Sequence, residues 1–258
     1  MSPFLILGLI LSALIGLSLG LIGGGGSIIT VPVLVYVLGV EAHEAVGMSL
    51  AVVGGTSLVG AGLHYRRGNL QLKTGLTFGV SGIAGAFAGS PLTKLLSPSA
   101  LLMTFALLML FIAVLMLRRK PAAESEINEM GEKPNVWKAL LAGFGVGVLT
   151  GFLGVGGGFL IVPALVMFGG LSMKEAIGTS LFVIFLNCVA GLIGHASQNG
   201  FDWGLTAQVT ALAVAGTIFG TLLSHKLEAQ KLQKGFAVFV LVVAVFLITK
   251  NYASFFGG

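Results

Sequence analysis

Charge is the scarcest property of this chain. Of its 258 residues only 9% are Asp, Glu, Lys or Arg, while 56% are hydrophobic; a soluble domain carries about 25% charge. So few charged groups cannot cover a water-facing surface, which excludes a soluble globule and places the chain in lipid. Cysteine is nearly absent as well. The lone Cys188 has no partner, so a disulfide scaffold is excluded, and inside its apolar run it reads as a small packing residue. Disorder is excluded by the same hydrophobicity. The 9 acidic residues are outnumbered by 14 basic ones, but these collect in short connections between apolar stretches rather than along one stripe, which argues against a nucleic-acid partner. No Lys or Arg precedes the first apolar run, so the start is expected to be a retained span rather than a cleaved signal.

What the chain has instead is apolar segments and glycine. The segments run from about Phe4 to Ile22, Ile28 to Leu38, Ala45 to Leu63, Leu72 to Leu95 and Leu101 to Leu117. After a polar break, five more follow: Ala139 to Leu153, Phe159 to Phe168, Ala176 to Gly194, Leu205 to Leu223 and Gly235 to Thr249. Most approach the ~20 residues that cross hydrocarbon; those starting at Ile28 and Phe159 are too short. Sliding the chain along itself by 131 residues aligns Gly20 with Gly151, Gly23 with Gly154, Gly26 with Gly157, Pro32 with Pro163, Glu44 with Glu175, Ser49 with Ser180 and His64 with His195. The chain is therefore one pattern written twice. Residues 1–117 form a first transmembrane repeat, 118–138 a cytoplasmic linker and 139–258 a second repeat.

The basic residues orient the repeats. With an odd number of crossings per half, one side of the membrane receives twelve of the fourteen, Arg66, Arg67, Lys174 and Lys226 among them, and the other only Lys94 and Lys250. Four crossings per half give nine to five. The more biased split satisfies the positive-inside rule, so the expectation is an all-α membrane protein of two inverted repeats, about five elements each, with both termini outside. Five full spans per half and three spans plus a re-entrant hairpin share that parity; the short segment after each glycine run favours a half-helix that stops inside the membrane.

The glycine runs are Gly23-Gly24-Gly25-Gly26-Ser27 and Gly154-Val155-Gly156-Gly157-Gly158, each followed by a proline, Pro32 or Pro163. Clustered glycines let the backbone turn and leave N–H groups without a ladder, tolerable in lipid only where protein or a hydrated cavity encloses them. A helix N-terminus after such a turn is also an anion cradle. Close helix approach is the alternative use of glycine, and it suffices for the stripe Gly75, Gly79, Gly82, Gly85 and Gly89. A nucleotide loop is excluded because no Lys-Ser or Lys-Thr follows either run. Nothing in the chain calls for a metal or another cofactor.

Behind each short segment comes Glu44-Ala45-Val46-Gly47-Met48-Ser49-Leu50, repeated as Glu175-Ala176-Ile177-Gly178-Thr179-Ser180-Leu181. Ser49 and Thr56, like Ser180 and Asn187, stand seven apart on one helix face and offer uncharged donors to an oxyanion. Back-bonding to their own helix is the other role open to them. Glu44 and Glu175 complement the positive ends of their helices, or serve as proton or gating carboxylates. His64 and His195 close the same helices, where imidazolium is favoured and pH gating is conceivable. No acid–base set lies within the spans, which argues against an enzyme.

With its doubled glycine–proline motif and repeated Glu-Ala-x-Gly-x-Ser-Leu stretch, the sequence resembles the TauE/SafE-type sulfite exporter family, the TSUP permeases, over essentially its whole length. The resemblance implies a multi-pass permease of the bacterial cytoplasmic membrane that moves small sulfur-containing anions, such as sulfite or organosulfonates. The family's motif maps onto Gly23, Gly25, Gly26 and Pro32, and onto Gly154, Gly156, Gly157, Gly158 and Pro163; Gly24 and Ser27 depart from it. The expectation is an anion held near the midplane by main-chain N–H groups at Gly25, Gly26, Gly156 and Gly157 and by Ser27, Ser49, Thr56, Gly158, Thr179, Ser180 and Asn187. Alternating access, with proton or ion coupling as an option, would carry it across. An anion channel, or a permease for another small organic anion, is the alternative.

Overall fold

A computed structural model describes residues 3–91, 98–118, 136–153, 158–195 and 202–256. Those residues form ten helices: α1 Pro3–Ile22, α2 Gly25–Tyr36, α3 Ala42–Arg66, α4 Leu72–Gly89, α5 Pro98–Arg118, α6 Val136–Leu153, α7 Gly158–Met167, α8 Met173–His195, α9 Trp203–Lys226 and α10 Ala229–Phe256. Among the described residues there is no strand. Each helix lies where an apolar segment was expected. Five of them, α1, α3, α8, α9 and α10, contain a stretch long and apolar enough to cross a membrane. The 12-residue α2 and 10-residue α7 rise only about 18 and 15 Å, half the hydrocarbon thickness.

Glycine decides which helices touch. A Cβ on Gly16, Gly20, Gly216 or Gly220 would drive into main-chain atoms of the facing helix, so α1 and α9 lie backbone to backbone. Gly85, Gly89, Gly147 and Gly151 do the same for α4 and α6. The seams are exchanged copies of one another: Gly16 meets Ala213 as Gly147 meets Gly82, and Gly85 meets Phe144 as Gly216 meets Ala13, each pair shifted by 131 residues and swapped between halves. Helices α3 and α8 obey the same rule, since Gly60 receives Leu181 and Gly191 receives Leu50. Rising numbers on α3 meet falling numbers on α8, so these matching elements of the two halves run antiparallel.

The core gathers around the short helices. Residues Phe159 through Leu165 of α7 are all buried, as are Leu19, Ile177, Leu181, Phe236 and Val240 around them. The periphery is apolar too: Ile6, Ile10 and Leu14 on α1, Leu76, Val80 and Phe87 on α4, and Val238, Val242 and Phe246 on α10 are exposed at helical spacing. A soluble protein does not carry apolar patches of that extent, whereas lipid-facing helices require them.

Candidate functional site

Helix α1 ends at Ile22, and the glycine run divides its labour. Gly23 takes the left-handed conformation (φ 80°) while its N–H donates to the Leu19 carbonyl at 2.8 Å. Gly24 is the N-cap of α2 and has no side chain to serve the helix's first N–H groups. Gly25 and Gly26 are already helical. They are small for another reason: a Cβ on Gly25 would lie 2.8 Å from the Phe239 ring and 2.9 Å from Ser18 Oγ, and one on Gly26 would strike the Ile15 carbonyl. Two glycines make the turn and two admit neighbours.

The turn meets the other repeat through its main chain. A Cβ on Gly24 would lie 2.5 Å from the Gly158 carbonyl oxygen, and one on Gly158 would lie 2.6 Å from Ser27 Oγ. Ser27 and Gly158 are equivalent under the 131-residue shift, so the halves exchange places about this point. Gly158, buried, begins α7; Gly156 and Gly157 lie outside the described residues. Prolines 32 and 163 inside α2 and α7 withhold an N–H from the carbonyls of Ile28 and Phe159, loosening the ladders of the same two helices.

The hydroxyls of the site face main-chain carbonyls. Ser180 Oγ donates to Gly23 O at 2.7 Å and Ile177 O at 2.8 Å, stitching α8 to the turn of the opposite half. Ser27 donates to Gly24 O at 2.8 Å. Ser49 donates to Val46 O, and Thr56 to the carbonyls of Val52 and Val53, so both are closed on their own helix. Asn187 differs: it stands two turns beyond Ser180 on the same face, past the Ile184 that touches Gly158, and its Oδ1 is buried without a partner. Ser18, which sequence reasoning missed, also keeps a buried hydroxyl without a partner, beside Gly25. Its signal was one of two hydroxyls in an otherwise apolar first helix, the one a heptad before Gly25.

At the ends of the bundle the charged candidates act as clasps. Ser172 and Glu175 form a capping box on α8: the Glu175 carboxylate accepts the Ser172 N–H at 3.0 Å, and Ser172 Oγ accepts the Glu175 N–H at 3.3 Å. The same carboxylate accepts Gln71 Nε2 at 2.8 Å, and Thr179 Oγ1 accepts the Gln71 N–H at 3.1 Å. Thr179 thus caps the start of α4 and faces away from the Ser180 side of α8. Glu44 makes the exchanged contact at the other end, accepting the N–H of Asp202, the residue equivalent to Gln71, at 2.8 Å. His64 is buried in the last turn of α3 with its ring centroid 4.8 Å from that of His225. His195 ends α8, and its side chain lies outside the described residues. Cys188 is buried against Gly54 as a packing residue. Among the described residues no group of three His, Cys, Asp or Glu could hold a metal.

Comparison with known proteins agrees with this architecture. The family model "Sulfite exporter TauE/SafE" matches residues 8–247. A protein of Xylella fastidiosa (strain 9a5c) described as a probable membrane transporter is 33% identical over 244 residues, 93% of this chain and 94% of that one. Bacillus subtilis (strain 168) YdhB, named likewise, is 32% identical over 209 residues, covering 80% and 85% of the two chains. YunE of the same organism is 29% identical over 256 residues, with 91% and 93% covered. No solved structure matches. With ten helices among its described residues and a family match over nearly its whole length, the chain is a membrane transporter, not an enzyme, and belongs to the sulfite exporter TauE/SafE family.

Proposed function

We propose that the protein is a secondary transporter of small sulfur oxyanions, sulfite or organosulfonates, in a bacterial cytoplasmic membrane. The anion binds where the glycine turns of the two halves meet. One observation carries the reading: the N-terminus of α2, uncapped by any side chain, abuts the first residue of α7 across the Gly24–Gly158 contact. Main-chain N–H groups at Gly25, Gly26, Gly156 and Gly157 are the primary donors. Asn187 and Ser18 each bring a buried polar atom without a partner near the turn. Ser27 and Ser180 hold the turn and join the site when they release their carbonyls; Ser49 and Thr56 shape its walls, while Thr179 serves the start of α4 instead.

Magnitudes decide what does the binding. Placing an anion in a dry interior costs several kcal/mol after relaxation. A helix dipole returns up to about 2 kcal/mol in a partly buried setting. A hydrogen bond to a charged group is worth about 1.5–3 kcal/mol. Two dipoles alone fall short, whereas four such bonds offset the penalty without creating a trap. Uncharged donors suit a carrier that must also release.

The antiparallel pairing of α3 with α8 and the exchanged glycine seams support inverted repeats, the bias of basic residues supports both termini outside, and rocking of one half on the other then provides alternating access. Topology is tested with single cysteines at two exposed sites: Arg66→Cys should react with an impermeant maleimide only from the cytoplasm and Glu41→Cys only from outside. Function is tested in proteoliposomes. Sulfite flux should saturate, and Asn187→Leu should raise KM at least tenfold with little change in protein yield. Non-saturating current in a planar bilayer would replace the transporter with a channel, and unchanged KM would remove Asn187 from the site.

A further inference from the structure

We propose a second oxyanion site, built by His64, Thr221 and His225 at the end of the bundle where α3 and α9 finish. It is separate from the glycine turns and lies toward the mouth formed by residues 64–71. Four of the buried polar atoms without a hydrogen-bond partner fall on these three side chains: both ring nitrogens of His64, Nε2 of His225 and Oγ1 of Thr221. His64 is 1% exposed and Thr221 0%. Buried polar groups in folded proteins are paired with protein, water or a ligand, so such a cluster marks a place that takes one.

The three side chains converge. His225 follows Thr221 by one turn on the same face of α9. The His64 and His225 rings are 4.8 Å apart and tilted by 45°. Thr221 and His64 both stand beside Gly20 of α1, whose missing Cβ lets α9 approach.

Donor chemistry identifies the ligand. Asn69 Nδ2 lies 3.3 Å from His225 Nδ1, and with the amide donating there the ring proton of a neutral His225 sits on Nε2. That leaves an N–H on His225 and the O–H of Thr221 in need of acceptors, while the His64 ring has the Gly20 carbonyl beside it. Among the described residues the side chains that act on the pair are cationic, Arg67 on both rings and Lys174 of α8 on His225. Of the described carboxylates at this end, Glu175 is occupied by Ser172 and Gln71, and Glu228 is paired with Lys231. From α9 itself the next residue is Lys226, and α1 presents only the Gly20 main chain. Donors inside a cationic rim fit a small oxyanion and disfavour a metal cation.

The second repeat does not duplicate the site. Shifted by 131 residues, Thr221 corresponds to Ser90, His225 to Lys94 and Asn69 to Gly200. An anion-loading site therefore belongs to one mouth only, and it makes the two faces of the transporter unequal in what they attract.

The test uses the full chain in nanodiscs, titrated with sulfite and with sulfate by calorimetry. Wild type should show two anion sites per chain. His64→Phe with His225→Leu should remove one of them, and Asn187→Leu should weaken the other at least tenfold, so each site fails by its own variant. Two sites retained in the His64/His225 variant would overturn the proposal. Wild-type protein labelled with 15N-histidine decides the case if that variant does not fold: sulfite at fixed pH should shift the His64 and His225 ring resonances. Rings that respond to pH but not to sulfite or sulfate would make the pair a proton relay and refute the anion site.

Discussion

Replacing Gly23 by alanine attacks the point where the halves are tied together. Gly23 sits at φ 80°, where an L side chain costs about 1–2 kcal/mol. Its new Cβ would also stand 2.7 Å from Ser180 Oγ and 2.9 Å from Ile177 Cα. Crowding of that kind adds about 1–3 kcal/mol, so Gly23→Ala should destabilise the protein by about 2–5 kcal/mol. Ser180→Ala alone removes the donor to Gly23 O and leaves that carbonyl unpaired, a loss of about 1–3 kcal/mol. The two changes are coupled because Ser180 Oγ is half of the clash. The double variant should therefore cost less than the sum of the singles by about 0.5–3 kcal/mol. It should not recover wild-type stability, since the backbone of Ile177 cannot withdraw as a hydroxyl can. Thermal unfolding in detergent, read by size-exclusion recovery, measures all four corners of the cycle. Gly62→Ala is the control, because a Cβ there meets nothing within 4 Å. A Gly23→Ala protein as stable as wild type, or strictly additive costs in the double variant, would refute the geometry of the turn.

Three further outcomes are expected. Gly85→Val and Gly216→Val, equivalent positions whose side chains would strike the carbonyls of Phe144 and Ala13, should each destabilise by about 3 kcal/mol and reduce folded yield, measured by the same recovery assay. Thr179→Val, which takes the acceptor from the Gln71 N–H, should cost about 1 kcal/mol and leave sulfite affinity unchanged, because Thr179 faces α4 rather than the glycine turn. Cys188, 5% exposed, should react with maleimide at least tenfold more slowly than a cysteine introduced at Tyr65, which is exposed, when both are timed by mass spectrometry.

The helices were legible because hydropathy and glycine placement speak directly through sequence. Every apolar segment became a helix, and the two shortest became the two shortest helices, α2 and α7. The stripe from Gly75 to Gly89 read as a packing seam and is one, against α6 for Gly85 and Gly89 and against α8 for Gly75 and Gly79. Side-chain roles were harder to read, because a hydroxyl in a membrane helix always has a carbonyl within reach on its own helix. Ser49 and Thr56 take that option, Ser180 takes it and also crosses to Gly23, and no spacing rule separates these cases. Four consecutive glycines suggested one job; the structure divides them because Phe239 approaches from a helix far away in sequence and the chain folds back on α1 so that Ile15 meets Gly26. Gln71 and His225 went unnoticed for the same reason, their partners being more than 100 residues away.

The repeat explains both what matches and what differs between the halves. Exchanged seams demand small residues at equivalent positions in each half, so Gly16, Gly20, Gly85 and Gly89 reappear as Gly147, Gly151, Gly216 and Gly220. The two mouths carry no such demand. Thr179, which accepts the Gln71 N–H, corresponds to Met48, which cannot; Ser172, which caps α8, corresponds to Glu41, which makes no side-chain cap on α3. A neutral hydrogen bond is worth about 0.5–1.5 kcal/mol net. In the proposed alternating access, a few such bonds would bias one mouth by an amount comparable to the few kcal/mol that separate interconverting states of a protein. Backbone-to-backbone seams cannot be opened at that cost, since parting them exposes main chain along whole helices. Under the proposed alternating access, motion would concentrate at the boundary between α3 and α8 and in the short helices beside them, where leucines sit in glycine notches and a serine rests on a carbonyl.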